Sequence, residues 1–159
     1  MRSLGATVVA PLVLVLASCN GKASPPPAPG LGDVMSQVGR RFELAGRAAL
    51  AGRFELADFE TGELEELFEN DVPRASLPKE GPTAHIPVMS KAFLETNLPA
   101  LQQAAARKVP AAFADAFQRA AEACNGCHQA SAKGFIQVPS VPGKPVPDLD
   151  PLGPAPPPH

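Results

Sequence analysis

Proline confines the part of this chain that can fold. Nine of the twenty-one residues from Pro139 to His159 are proline, and Pro25, Pro26, Pro27 and Pro29 crowd a short stretch near the other end. Proline donates no backbone hydrogen bond and locks φ, so neither stretch can continue a helix or a sheet. Residues 19–30 read as a stiff spacer, and residues 139–159 as an extended tail with little to bury, ending in a solvated His159. Residues 31–138 remain, about the size of one small domain.

Within that domain the apolar spacing is helical. There is no Tyr, no Trp and no sustained alternation of the kind a strand needs. The class expected is all-α, in four segments. The first, from about Gly32 to Ala51, puts Val34, Val38, Phe42, Ala45 and Ala49 on one stripe, with Gly52 as its stop. The second, about Arg53 to Asn70, repeats Phe54, Ala57, Thr61, Leu64 and Phe68 at alternating three and four spacings before Pro73 and Pro78. The third runs from about Thr83 to Lys108, and Pro99, with Thr96 and Asn97 as caps, should kink or divide it. The fourth begins at Pro110 and turns Ala112, Phe113, Ala116, Phe117, Ala120, Ala123, Cys124 and Cys127 one way. Short connections make neighbouring helices antiparallel, so an up-down-up-down four-helix bundle is the economical arrangement.

The fourth segment carries the most specific motif. Cys124-Asn125-Gly126-Cys127-His128 is the Cys-x-x-Cys-His signature of covalent c-type haem attachment. On a helix, Cys127 and His128 fall three and four positions after Cys124, so the three side chains share a face. Two thiols can then bond the vinyl groups of one haem c while the imidazole of His128 reaches the iron. A zinc site would need a second ligand pair, and the remaining cysteine, Cys19, is more than a hundred residues away. A thioredoxin-like dithiol would open a helix, whereas this motif closes an Ala-rich segment. Asn125-Gly126 has poor helix propensity, which places the motif in the last turn.

Upstream, Arg2 precedes a mostly apolar run from Leu4 to Leu16, too short to span a bilayer and suited to a signal-peptide core over residues 1–18. Leu16-Ala17-Ser18-Cys19 resembles the bacterial lipoprotein cleavage box, which implies lipidation of Cys19 and a periplasm-facing lipoprotein of the bacterial cell envelope. An ordinary secretory signal with a free cysteine is the alternative. With Cys19 lipidated and Cys124 and Cys127 holding haem, no thiol is left for a disulfide, which accounts for an odd count of three. Several acyl chains would hold the chain on a membrane where one would not.

Four helices with Cys124 to His128 near the end of the last resemble cytochrome c′, and more broadly the cytochrome c′ and b562 superfamily. That resemblance covers the bundle and not the spacer or tail. Ordinary class I cytochromes c fit badly, because thirty-one residues follow His128 with no methionine among them. Cytochrome c′ commonly has a basic residue four positions after the haem histidine; here Ala132 stands there and Lys133 follows. Cytochromes c′ typically leave the distal face of the iron open to small gases, and b562-like members place a methionine there and transfer electrons. Met35, Phe42, His85 and Met89 are the candidates for that face on the expected topology, and packing or solvation is the plain alternative for each.

The functions expected are therefore a membrane-tethered, exported monohaem c-type cytochrome passing electrons between exported redox proteins, or a five-coordinate haem protein binding nitric oxide or carbon monoxide. A structural lipoprotein without haem is the third. No hydrolase triad, phosphate loop or carboxylate pair marks an enzyme acting on an organic substrate, and a net charge of −2 argues against nucleic acid. The acidic second segment, with Glu55, Asp58, Glu60, Glu63, Glu65, Glu66 and Glu69, is either a solvated face or a dock for a basic partner. Many cytochromes c′ dimerise, so the resemblance leaves a homodimer open.

Overall fold

The computed structural model describes residues 27–77 and 80–143, which are mostly helical and contain no strand. The leader, Cys19, most of the spacer, Pro78 and the tail beyond Gly143 lie outside the described residues. Among the described residues five α-helices form: α1 Leu31–Leu50, α2 Phe54–Glu66, α3 Ile86–Thr96, α4 Leu98–Ala106 and α5 Pro110–Ala130. A π turn, Leu67–Asp71, extends α2, and a 3-10 turn, Pro82–His85, leads into α3.

The stripes on the first two helices lie in the core. Val34, Val38, Phe42, Ala45 and Ala49 are buried, as are Phe54, Ala57, Thr61, Leu64 and Phe68. The expected third helix is divided at Asn97, two residues before Pro99, whose ring cannot continue the hydrogen-bond ladder. Thr96 and Asn97 do not cap the new start. Thr96 Oγ1 donates back to the Ala92 carbonyl at 2.6 Å, and Asn97 Nδ2 donates to the Arg119 carbonyl at 3.5 Å. Ala112 is exposed, against the expectation that it shared the buried face of α5.

Helix ends explain how the chain turns so tightly. α1 closes with the N–H of Gly52 on the Ala49 carbonyl and that of Arg53 on Ala48, the paired bonds of a Schellman motif. Gly52 takes the left-handed conformation this requires, with φ 76°. α4 and α5 end the same way, but with Lys108 and Ala132 in the left-handed position, at φ 55° and 56°.

α1 packs on α2 and α5, α2 on α4, and α4 on α5. A chain of rings crosses the interior: Phe42 stacks on Phe117 at 4.2 Å, Phe117 neighbours Phe113 at 6.3 Å, and Phe113 meets Phe54 edge-on at 6.4 Å. Gly46 makes the approach of α1 to α5 feasible. A Cβ there would stand 2.4 Å from the Phe117 ring and 2.8 Å from Pro142 Cγ. Residues 139–143, the described start of the tail, thus lie over the domain.

The acidic segment is not simply solvated. Glu60 is buried and pairs with Arg41 at 3.0 Å, and Glu63 meets the same guanidinium at 2.9 Å. Gln102 donates to Glu65 at 2.7 Å. Lys108 bonds Glu55 and holds its carboxyl below the usual range. These acids mark lines of contact between helices, which their charge alone could not reveal.

Candidate functional site

α5 holds Cys124, Cys127 and His128 on its last two turns, with Cys127 and His128 in the last, and runs unbroken through Asn125-Gly126 to Ala130. Local propensity at Asn125-Gly126 costs roughly 0.5–1 kcal/mol per residue. One local and one longer-range feature offset it. The helix end is closed downstream, where Lys133 N–H bonds the His128 carbonyl at 2.7 Å and Ala132 N–H bonds Gln129 at 3.1 Å. Asn125 itself is engaged, its Nδ2 donating to the Val138 carbonyl at 2.9 Å and its Oδ1 accepting from Val138 N–H at 2.7 Å.

Both cysteines are free thiols, half-buried on one flank of α5. They border a cleft of about 240 Å³ whose other walls come from Phe68 on the π turn and Met89, Ser90 and Phe93 on α3. Phe68 and Phe93 stack at 4.7 Å and form its apolar floor. The cleft alone is smaller than the roughly 300–1,000 Å³ of ordinary ligand pockets. Its wall continues, however, onto a flank of α5 that is apolar and not sealed, since α5 has no fully buried residue after Ala121.

Burial pushes the Cys124 thiol up to about 12, with the neighbouring Cys127 adding to the shift. Burial raises the Cys127 thiol too, against the pull of the nearby Ser131 hydroxyl. That hydroxyl is buried and makes no hydrogen bond of ordinary geometry. Nucleophilic Cys-x-x-Cys pairs have the opposite character: a lowered pKa at a helix N-terminus. Here the pair sits four turns along its helix, so both position and ionisation weigh against a redox dithiol. Among the described residues no cluster of three or more His, Cys, Asp or Glu side chains is placed to hold a metal ion by itself, as a tetrahedral zinc site would require.

His128 lies beside the cleft rather than in its wall. Its Nδ1 is 3.0 Å from the Ile136 carbonyl. A carbonyl only accepts, so a hydrogen bond there puts a proton on Nδ1 and, in the neutral ring, leaves the lone pair on Nε2. That is the state in which an imidazole ligates a metal, with the other nitrogen held by a backbone carbonyl.

The four distal candidates separate. Met89 is on the cleft with both cysteines. Phe42 is in the ring stack with Phe117, nearly two turns of α5 before Cys124. Met35 packs against the core near the start of α1 and does not border the cleft. His85 is exposed at the end of the 3-10 turn. In the sequence Val138 and Phe93 carry no signal, Phe68 is a stripe position only, and Asn125 with Gly126 marks only the last turn of a helix. Comparison with protein-family models, curated proteins and solved structures returns no match for this chain.

Proposed function

We propose that this chain is an exported monohaem c-type cytochrome that carries electrons, built as an antiparallel up-down-up-down four-helix bundle of the cytochrome c′ and b562 kind. The two unpaired thiols, a free Nε2 and an unsealed apolar flank fit the group chemically. Cys124 and Cys127 would hold haem c by thioethers, and His128 Nε2 would ligate its iron. Bound there, the group supplies a one-electron couple.

The observation that carries this reading is the coincidence of motif and surface. α5 keeps its apolar character for two turns past its last sealed residue, and those turns hold Cys124, Cys127 and His128. A helix flank that is apolar yet only half-buried leaves room for a group to complete its cover. Support for the bundle comes from the cycle of contacts α1 to α2 to α4 to α5 to α1, with α3 and α4 together as its third member. Arg41 reaches Glu60 and Glu63 across a three-residue connection, as antiparallel neighbours do.

Met89 is the distal ligand this reading favours, because it shares the cleft with both thiols. The chain's lipoprotein box would tether it to a membrane through Cys19, and exported redox proteins would be its partners. A five-coordinate gas binder is the second reading, favoured by the apolar Phe68 and Phe93 walls. The decisive experiment is maturation of the whole chain in a host competent for c-type attachment. Haem that survives denaturing electrophoresis, and is lost in the Cys124→Ala, Cys127→Ala double variant, is the expected result; haem-free protein refutes the proposal. Absorption spectra with and without carbon monoxide then separate the readings: low-spin iron that becomes high-spin in Met89→Ala supports electron transfer, and ready carbon monoxide binding by the unsubstituted protein supports gas capture.

A further inference from the structure

We propose that Asn125, a spacer position between the two cysteines, is a positioning residue for His128 and acts through the strap formed by residues 133–138. The inference rests on the haem reading only for its purpose; the geometry is independent of any cofactor.

Asparagine is a poor helix residue unless its amide is occupied. Here the amide makes two bonds to one residue, donating from Nδ2 to the Val138 carbonyl at 2.9 Å and accepting at Oδ1 from Val138 N–H at 2.7 Å. Only a carboxamide offers a donor and an acceptor side by side at that reach, and two points fix the strap's orientation where one would allow it to swivel. Two residues back along the strap, the Ile136 carbonyl stands 3.0 Å from His128 Nδ1. Asn125 and His128 are three apart and so share a face of α5, which lets one short segment engage both.

The strap's other end is fixed as well. The Schellman closure over Ala132 and Lys133 starts it, and Ile136 N–H bonds the Lys133 carbonyl at 2.8 Å. Held at Lys133 and at Val138, the intervening Ile136 carbonyl has little freedom, and it selects the Nδ1–H form of the ring. A free imidazole side chain favours Nε2–H, the form that cannot ligate through Nε2. Asn125 therefore sets the histidine's tautomer without touching it.

The test is nitrogen NMR of His128 in the full chain prepared without haem. The Nδ1–H form is expected to dominate. Loss of about one net hydrogen bond should move the tautomer ratio roughly fivefold toward Nε2–H in Asn125→Leu. Val138→Pro, which removes one of the two bonds while leaving α5 untouched, should move it the same way and serves if Asn125→Leu fails to fold. In haem-loaded protein both variants should show a raised reduction potential, because the ring loses basicity with its acceptor. An unchanged tautomer ratio in the folded variants overturns the inference. Failure of the wild-type chain to attach haem would instead refute the proposed function, and the NMR result would still decide this one.

Discussion

α5 is one helix in two environments. From Phe113 to Ala121 its inward side chains are sealed: Phe113, Ala116, Phe117, Ala120 and Ala121 are all buried, on the length of helix that stacks Phe117 on Phe42 of α1 and sets Phe113 against Phe54 of α2. From Ala123 to His128 the side chains at the same spacing are only half-buried, although Ala123, Cys124 and Cys127 are as apolar as those before them. The first half stores stability in close packing. The second gives up that burial and presents thiols and an imidazole instead, held from outside by a strap. The packed half therefore sets where the chemistry-bearing half stands, and substitutions in the two should behave differently.

The widest difference is expected from truncating a sealed leucine and a cleft methionine. Leu101→Ala on α4, the helix packed on α5, opens a cavity in the sealed core and should cost about 2–5 kcal/mol. Met89→Ala in haem-free protein should cost about 1 kcal/mol or less, since its side chain is only partly buried. Denaturant midpoints measured side by side check this, and equal losses would erase the distinction between the halves.

Glycine substitution sharpens the same contrast. Gly46→Ala should destabilise by about 1–3 kcal/mol despite alanine's better helix propensity, because Phe117 and Pro142 already occupy the Cβ position. Gly39→Ala, on the open side of the same helix, should instead stabilise by roughly 0.5–1 kcal/mol. Opposite shifts in thermal midpoint are the expected pair.

Alkali should attack the motif half first. The Cys124 thiol is raised from an ordinary value of 9.0 to about 12 by burial. A group whose folded pKa is raised contributes full stability below its unfolded pKa and loses it as pH climbs toward the folded value. Haem-free protein should therefore weaken between about pH 9 and pH 12, and Cys124→Ala should flatten that slope. Urea midpoints across this range measure it. The smallest effect expected is at the end of α5: Ala132→Gly should gain up to about 1 kcal/mol by relieving a left-handed non-glycine residue, visible as a small rise in midpoint.

Legibility in the sequence followed the range over which each feature is determined. The α1 and α2 stripes could be read because helical burial repeats every three or four residues, and Pro99 and Pro110 marked boundaries because proline's constraint is local. The tie that holds the end of α5 could not be read so. Poor propensity at Asn125-Gly126 marks the last turn, but the role of Asn125 is hidden, because its partner, Val138, lies thirteen residues on and no local rule pairs them. Glu60 and Glu63 looked like surface because their partner is on another helix. The three motif residues were evident from spacing, whereas which of Met35, Phe42, His85 and Met89 borders the cleft is seen only in three dimensions.

One small tie near the start of α1 bears on how the molecule takes load. Gly30 forms a lone bridge with Ser76, whose N–H bonds the Pro29 carbonyl at 3.2 Å. A pull transmitted along the chain from Pro27 would reach that bond before it reached the first turn of α1. Until it broke, that bond would share the load between the segment after the π turn and the start of the helix.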